Sequence, residues 1–166
     1  RKKAMIKNII FDLGNVIFKY EPATIINKLL PDTKSQNKHL KCLMEGPLWD
    51  EMDSGRIEKE EACKLLQSDY NYTKSEANEA EKIIDNFNLH LELDSEMKKL
   101  FEQLTNGYNV FIISNFQEAP FKRLLADHPF LKKAKRIVIS SEVKLLKPNP
   151  RIFRYLIDNE ELEADE

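Results

Sequence analysis

The sequence predicts an α/β fold in which a helical segment is inserted into a parallel sheet core after the first strand. Three observations lead to this prediction. Residues 6–11 are predicted to form a strand, whose short apolar run at 9–11 ends abruptly in Asp12. Residues 20–91 then carry several helical patterns and no convincing strand. After residue 92, helical and strand patterns alternate, which is typical of a parallel sheet with crossover helices.

The composition is that of a globular protein and excludes several classes. The chain has 166 residues, of which 42% are hydrophobic and 33% charged, with a formal net charge of −2. We therefore expect neither nucleic acid nor a membrane as a partner, since a span needs roughly 18 consecutive apolar residues. Cys42 and Cys63 have no metal-ligand spacing, and nothing at the N-terminus resembles a signal peptide, so a cytoplasmic location is expected.

The apolar run of the first strand is typical of a central strand buried on both faces, yet the chain supplies too few further strands to flank it and leaves an apolar edge bare. The strand delivers Asp12 to the carboxyl end of the sheet, and a Gly14-Asn15 turn follows at once. In open α/β sheets, ligands bind beyond the carboxyl ends of the strands. Asp12 is therefore a candidate active-site carboxylate.

The inserted segment is predicted to contain four helices. Pro22 suits the first position of the first helix. The spacings at 33–36 and 73–76 are those of capping boxes, which begin the second and fourth helices. The third helix covers 58–66.

The remaining residues are predicted to complete the core. Asp94 is a plausible N-cap, Asn106-Gly107 ends the helix that follows it, and Pro150 opens the last helix. The strands are expected at 108–114 and 136–140, with a helix at 118–126 between them.

Polar residues follow each of the three predicted strands. Ser114-Asn115 ends the second strand, and Lys147 follows the third. Each feature alone has an ordinary explanation as a turn, a helix cap or a solvated loop residue. Together, a carboxylate, a hydroxyl with nearby amides and an ammonium group indicate a phosphate site in which Asp12 attacks phosphorus and forms an aspartyl-phosphate.

These residues resemble the motifs of the haloacid dehalogenase superfamily of phosphohydrolases. The matching segments are 11–16, 112–115 and 147–153, in the family's order. The stretch from Trp49 through Gly55-Arg56-Ile57 to Glu61 is also similar to the helical cap of members whose cap follows the first motif.

The resemblance implies a Rossmann-like core, here residues 1–19 and 92–166, with an all-helical cap at 20–91. It also implies an aspartyl nucleophile and magnesium as the cofactor. By resemblance, Asp12 would be the nucleophile and would bind the metal, together with the backbone carbonyl of Gly14. Ser114, Asn115 and Lys147 would hold the phosphate.

The sequence departs from the family pattern in two places. Gly14 stands where the family has a second Asp that acts as general acid, a role typically worth about 10²–10⁴ in rate. This favours a leaving group that needs little protonation, such as that of a sugar 1-phosphate, or an acid supplied by the cap. The family's fourth motif, acidic residues that complete the magnesium site, has no counterpart. We therefore expect the core to be C-terminally incomplete and the chain to be a fragment of a longer protein.

Further residues are candidates for contact with the substrate. Lys19 and Tyr20 lie at the predicted hinge of the cap, where an ordinary linker role is the alternative. Trp49 could line a pocket or belong to the helical core. The turn at 53–55 could face the active site, as such cap turns do in this family, or serve only as a turn.

The leading hypothesis is a magnesium-dependent phosphohydrolase that acts on a small phosphorylated metabolite, such as a sugar phosphate. Two alternatives stay open. One is a metal-independent 2-haloacid dehalogenase, in which Asp12 attacks carbon. The other is a non-catalytic phosphate-binding relative. The sequence leaves the choice between monomer and homodimer undetermined.

Overall fold

The computed structural model describes residues 5–163, and these contain strands and helices in alternation after residue 92. The strands are β1 (Asn8–Phe11), β2 (Phe18–Lys19), β3 (Glu92–Leu93), β4 (Asn109–Ser114) and β5 (Arg136–Ile139). The helices are α1 (Pro22–Leu29), α2 (Gln36–Lys38), α3 (Pro47–Asp53), α4 (Lys59–Asp69), α5 (Lys74–Asn86), α6 (Ser95–Leu104), α7 (Glu118–Asp127), α8 (Ser140–Val143) and α9 (Pro150–Asn159). A π-helical stretch, His39–Met44, continues α2. None of the described helices is long and apolar enough to cross a membrane.

A parallel sheet of three strands in the order β1-β4-β5 forms the centre of the fold. Phe11 pairs with Ile112, and Ser114 pairs with Ile139, so the carboxyl ends of all three strands meet at one edge. The predicted α/β class with a parallel sheet is confirmed. Its helices cover both faces, because alternate β4 residues belong to two separate hydrophobic clusters.

The apolar first strand has fewer neighbours in the described part of the chain than a central strand needs, as expected. Among the described strands only β4 pairs with β1, which therefore lies at the edge of this sheet. Ile10 is 42% exposed as a result, whereas Phe11 is buried against Phe101 with ring centroids 5.3 Å apart.

The helical segment α1–α5 begins and ends at the short antiparallel pair β2–β3. Phe18 pairs with Leu93 and Lys19 with Glu92, and the Lys19 Nζ lies 3.0 Å from a Glu92 carboxylate oxygen. The chain enters the helical segment after β2 and leaves it before β3, so this pair joins the two connections between the segment and the rest of the chain. It was not predicted, because two-residue strands are too short to show an alternating pattern.

The predicted helix starts are correct at some positions and wrong at another. Pro22 opens α1, and Thr73 and Glu76 form both hydrogen bonds of the capping box of α5. Thr33 does not cap a helix, since α2 begins at Gln36. Its hydroxyl accepts from the Ser35 N–H at 3.1 Å and donates to Glu79 of α5 at 2.8 Å, so it serves a local turn and a tertiary contact. The helix α3 was not predicted.

Aromatic side chains connect the helical segment to the sheet domain. Trp49 of α3 contacts Phe87 edge to face at 5.0 Å between ring centroids, and Phe87 stacks on Phe116 at 5.5 Å. Phe116 in turn contacts Phe121 of α7 at 5.9 Å. All four rings are buried in the larger hydrophobic cluster, which continues from the helical segment to the sheet.

Candidate active site

Asp12 directly follows β1 and presents its carboxylate at the carboxyl end of the sheet. One oxygen, Oδ1, accepts a hydrogen bond from the backbone N–H of Leu13 at 2.8 Å. The other, Oδ2, lies 2.6 Å from the Nζ of Lys147. The Asp12 side chain is 40% exposed, so the carboxylate is oriented from one side and reachable from the other.

Lys147 reaches Asp12 from the loop between α8 and α9. Its Nζ also donates to the carbonyl oxygen of Ile113 at 2.9 Å, next to the end of β4. The Lys147 side chain is only 20% exposed. The structure therefore brings together two of the predicted residues, which are 135 positions apart in the chain (147 minus 12).

Asn115 holds the backbone of Lys147 through both polar atoms of its side chain. Its Nδ2 donates to the Lys147 carbonyl oxygen at 3.1 Å, and its Oδ1 accepts from the Lys147 N–H at 2.8 Å. The Asn115 side chain thus positions the lysine. Its predicted contact with phosphate would have to come in addition to these hydrogen bonds.

Ser114 ends β4 and is 2% exposed. Because Phe11 pairs with Ile112, Ser114 lies one residue beyond the level of Asp12 on the neighbouring strand. The predicted carboxylate and hydroxyl thus stand on adjacent parallel strands at the same edge of the sheet.

The turn after Asp12 is shaped by Asn15 and not by a steric need for Gly14. A Cβ placed on Gly14 would meet only the Tyr20 Cβ, at 3.8 Å, which is an ordinary contact. Asn15 has a φ of 56°, the left-handed conformation that Asn tolerates better than most residues. Its Oδ1 accepts from the Tyr20 N–H at 2.9 Å, so the turn fixes where Tyr20 enters the site.

A cavity of about 270 Å³ opens beside Gly14 and Asn115. It lies between the sheet edge and the helical segment, and it includes the predicted residues Tyr20 and Trp49. The remaining lining residues are Met44, Asp50, Asp53, Phe87, Leu91 and Phe116. Lys19 does not line this cavity. Its side chain is 55% exposed and is paired with Glu92 on β3.

Two polar groups in this cavity are buried. The Tyr20 hydroxyl oxygen is inaccessible to solvent and has no hydrogen-bond partner among the described residues. Burial, followed by the charge of Asp53, raises the pKa of Tyr20. Burial likewise raises the pKa of Asp53 to about 7, the nearby polar side chain of Gln117 partly opposes this, and the charge of Asp50 adds to it. The sequence did not indicate Asp53 as a cavity residue beyond its place in the 53–55 turn.

Hydrogen bonds hold the turn that contains Asp53 against the residues that follow β5. The Ser140 hydroxyl donates to the Asp53 carbonyl oxygen and accepts from the Phe116 N–H at 2.9 Å. Lys144 Nζ donates to the Gly55 carbonyl oxygen at 2.7 Å. Gly55 has a φ of 65°, and a Cβ there would lie 2.6 Å from the Ser141 carbonyl oxygen, so only glycine fits.

The Asp12 carboxylate is an oxygen donor of the kind that Mg²⁺ prefers, and Gly14, whose carbonyl is the second predicted donor, lines the neighbouring cavity. Mg²⁺ commonly keeps several waters and is bound by one or two carboxylates together with substrate phosphates. Within residues 5–163, no group of three or more His, Cys, Asp and Glu could hold a metal ion. The donor set therefore fits an ion shared with a substrate phosphate and does not by itself form a complete cage.

Solved structures with the same fold include both hydrolases that bind phosphate and dehalogenases. BT-2542 from Bacteroides thetaiotaomicron, a HAD family enzyme solved with magnesium and inorganic phosphate, is 21% identical. The match has a TM-score of 0.70 and covers 95% of this chain and 80% of that one. L-2-haloacid dehalogenase from Xanthobacter autotrophicus, solved with chloropropionic acid covalently bound, is 14% identical. That match has a TM-score of 0.66 and covers 96% of this chain and 66% of that one. At these identities the likeness concerns the fold.

A third structure and a family model extend the comparison. A predicted HAD-like hydrolase from Porphyromonas gingivalis is 23% identical over 98% of this chain and 80% of that one, with a TM-score of 0.66. A comparison with curated proteins finds no match. The model of the haloacid dehalogenase-like hydrolases matches residues 9–166, which is nearly the whole chain. The chain therefore belongs to the family of haloacid dehalogenase-like hydrolases.

Proposed function

We propose that this hydrolase is a phosphatase that cleaves the phosphomonoester of a small metabolite, such as a sugar phosphate, through an aspartyl-phosphate on Asp12. The observation that carries the proposal is the 2.6 Å contact between Lys147 Nζ and Asp12 Oδ2. A fixed ammonium group beside the attacking carboxylate would neutralise charge on the phosphoryl group at the point of attack.

The proposed reaction has two steps. In the first, an Asp12 carboxylate oxygen forms a bond to phosphorus, and the bond between phosphorus and the ester oxygen breaks. The alcohol leaves with the electron pair and takes up a proton. In the second, water attacks phosphorus, releases inorganic phosphate and restores Asp12. Ser114, Asn115 and Lys147 would hold the phosphoryl oxygens.

Magnesium is part of this proposal. Asp12 and the Gly14 carbonyl would hold it beside the substrate phosphate, where its chemistry is to neutralise charge on the phosphoryl oxygens. The chain's own contribution is to keep the carboxylate in place through the Leu13 N–H and to keep the lysine in place through Asn115.

We propose that residues 20–91 act as a cap on a core formed by 1–19 and 92–166. The cavity beside Gly14 supports this, because part of its wall comes from Trp49, Asp50 and Asp53 of α3. A cap in this place would exclude water from the phosphoryl group and select the leaving group.

A 2-haloacid dehalogenase is the second candidate, and Gly14 is the observation that favours it. A halide leaves without a proton, so a reaction that releases it needs no general acid two residues beyond the nucleophile. In that reaction an Asp12 oxygen attacks the halogen-bearing carbon, and water then cleaves the resulting ester.

A substrate screen separates these functions. The full chain would be assayed for phosphate release from p-nitrophenyl phosphate and sugar phosphates, and for chloride release from L-2-chloropropionate, each with magnesium or with EDTA. We expect phosphate release that requires magnesium and that Asp12→Asn abolishes. Chloride release in EDTA would identify a dehalogenase. Phosphate binding without turnover of any ester would indicate a non-catalytic relative.

A further inference from the structure

We propose that the cavity beside Gly14 is a leaving-group subsite that accepts compact, uncharged, hydroxyl-rich groups and rejects anionic ones. The Tyr20 hydroxyl and the Asp53 carboxyl are its specificity-determining groups. This inference rests on the proposed phosphatase function.

The cavity lies where the leaving group of a phosphomonoester has to go. Gly14 is two residues from Asp12, and Asn115 holds the backbone of Lys147. Both Gly14 and Asn115 line the cavity. An ester whose phosphate contacts Asp12 and Lys147 therefore extends past the two lining residues named above, into the space between the sheet edge and α3.

The buried polar atoms of the cavity call for a ligand that forms hydrogen bonds. The Tyr20 hydroxyl is shielded from solvent and has no hydrogen-bond partner among the described residues, which is unfavourable unless a ligand provides one. Asp53 is 8% exposed and is also a lining residue of this cavity. A sugar hydroxyl can donate to a carboxyl group and accept from a phenol, so a polyol is the class of ligand that could satisfy both groups when it enters the cavity and uncovers the Tyr20 hydroxyl.

The charge of the lining is one-sided. The ten lining residues include Asp50 and Asp53 and contain no Lys, Arg or His. An anionic leaving group would lie next to these carboxyl groups, of which Asp50 is exposed and Asp53 is buried, and the ionised carboxylates would repel it. The cation of the candidate active site, Lys147, is not one of these lining residues and is paired with Asp12.

The apolar wall and the size of the cavity restrict the shape of the leaving group. The rings of Trp49, Phe87 and Phe116 form a continuous aromatic series. Such faces pack well against the C–H side of a sugar ring. The volume of about 270 Å³ lies below the roughly 300–1,000 Å³ that is usual for drug-sized ligands, which indicates a single ring and not a dinucleotide.

The position of Asp53 is fixed from the sheet side. Ser140 binds the Asp53 carbonyl oxygen, and the same hydroxyl accepts from the Phe116 N–H, one residue after Asn115. The carboxyl group therefore keeps a constant relation to the loop that holds Lys147, which is what a selective group requires.

A matched pair of substrates tests the inference. Glucose 1-phosphate and glucuronic acid 1-phosphate share the ring and the ester and differ by one carboxylate. At pH 8, above the pKa of about 7 of Asp53, we expect the unmodified protein to prefer the neutral ester by about tenfold or more in kcat/KM, as repulsion between like charges at close range implies. Asp53→Asn should reduce that preference several-fold, and Tyr20→Phe should lower kcat/KM for the neutral ester.

Controls make each outcome decisive. Asp158→Asn removes the same charge from an exposed position on α9 and should leave the preference unchanged. Circular dichroism would verify that the Asp53 and Tyr20 variants are folded. Equal kcat/KM for the two esters, or an undiminished preference in folded Asp53→Asn, would overturn the subsite.

Acetyl phosphate separates failure of the subsite from failure of the function, because its leaving group is too small to fill the cavity. Turnover of acetyl phosphate that depends on Asp12, with no preference between the two sugar esters, refutes the subsite and leaves the phosphatase proposal standing. If neither acetyl phosphate nor any of the esters is turned over in a reaction that depends on Asp12, the phosphatase proposal is refuted, and the subsite with it.

Discussion

The contact between Asp12 and Lys147 is the most informative feature at the scale of single residues. Sequence reasoning reached both residues because each follows a predicted strand, and parallel strands end at one edge. It did not reach the details of their support. Asn115 was expected to contact phosphate, yet its side chain binds the Lys147 backbone, and such a contact depends on the path of a loop that no local pattern predicts.

Replacing Lys147 with Met tests whether its charge contributes to catalysis. Met keeps the apolar stem of the side chain and removes the ammonium group. We expect kcat/KM for the phosphomonoester to fall by about 10²-fold or more, because a fixed cation at a transferring phosphoryl group is worth that much. Lys133→Met, which removes an exposed lysine paired with Glu102, is the matched control and should retain activity. An active Lys147→Met variant would contradict the assigned role.

The buried carboxyl of Asp53 makes stability depend on pH in a defined direction. Its pKa of about 7 in the folded protein lies above its ordinary value. Between about pH 4 and 7 the folded state therefore holds a proton that the unfolded chain has released, and stability falls as the pH rises through this range. Above pH 7 the full cost, roughly 4 kcal/mol, is present.

Asp53→Asn should remove this dependence. We expect the variant to be more stable than the unmodified protein at pH 8, by up to a few kcal/mol, and similar to it near pH 4. Urea unfolding at both pH values measures the difference. Asp158→Asn, at an exposed position, should show no such change. A variant that is less stable at pH 8 would show that the Asp53 carboxylate is compensated in the folded state.

At the scale of elements, the helix starts show where local patterns are sufficient. The capping box at Thr73 was predicted correctly because its partner Glu76 is three residues away. Thr33 has the same spacing to Gln36, but its hydroxyl binds Glu79 of α5. The same hydroxyl accepts from the Ser35 N–H and not from that of Gln36, and the sequence does not show which local donor it takes.

Thr73→Ala should destabilise the protein by about 1 kcal/mol, the usual effect of losing a side-chain N-cap. The Thr73 hydroxyl accepts from the Glu76 N–H at 3.1 Å, and alanine leaves that donor without its cap. Urea unfolding measures the loss. An unchanged midpoint with an unchanged slope would indicate that α5 is held by its packing alone.

Two adjacent serines provide a sharp comparison at the junction between β5 and α8. Ser140 connects Phe116 and Asp53 through its hydroxyl, whereas the buried Ser141 hydroxyl has no partner among the described residues. We expect Ser140→Ala to cost about 1–3 kcal/mol, because it leaves a buried donor and acceptor unpaired. Ser141→Ala should be neutral or stabilising.

The comparison of the two serine variants by urea unfolding also tests the attachment of the helical segment. If both variants lose the same stability, the Ser140 hydroxyl has no special role. The sequence did not indicate Ser140, because its partner Asp53 lies 87 positions earlier in the chain.

At the scale of the whole molecule, the order of elements was predictable and their arrangement only partly so. Alternating patterns after residue 92 predicted the parallel sheet, which is confirmed. The shortage of strands beside β1 was expected, but the β2–β3 pair was not predicted. That pair depends on which segments become neighbours in space, and segments of two residues carry too little pattern to specify it.

The aromatic series from Trp49 to Phe116 explains how the cavity is built from distant segments. Its rings come from α3, from the residue after α5 and from the loop after β4, and they pack into one hydrophobic cluster. The candidate cavity is therefore a product of the packing between the helical segment and the sheet. Of its lining, Gly14, Tyr20, Trp49 and Asn115 had been singled out from the sequence as site residues, and Asp53 only through its place in the 53–55 turn.

The most direct test of the phosphatase proposal is to look for the phosphoryl group on Asp12 itself. The full chain would be mixed with magnesium and acetyl phosphate, quenched in acid within the first turnovers, and digested for mass spectrometry of the peptide that contains residue 12. We predict a peptide carrying one phosphoryl group on Asp12, absent from Asp12→Asn. Phosphate release by the unmodified protein at full rate without that modified peptide would contradict the proposal.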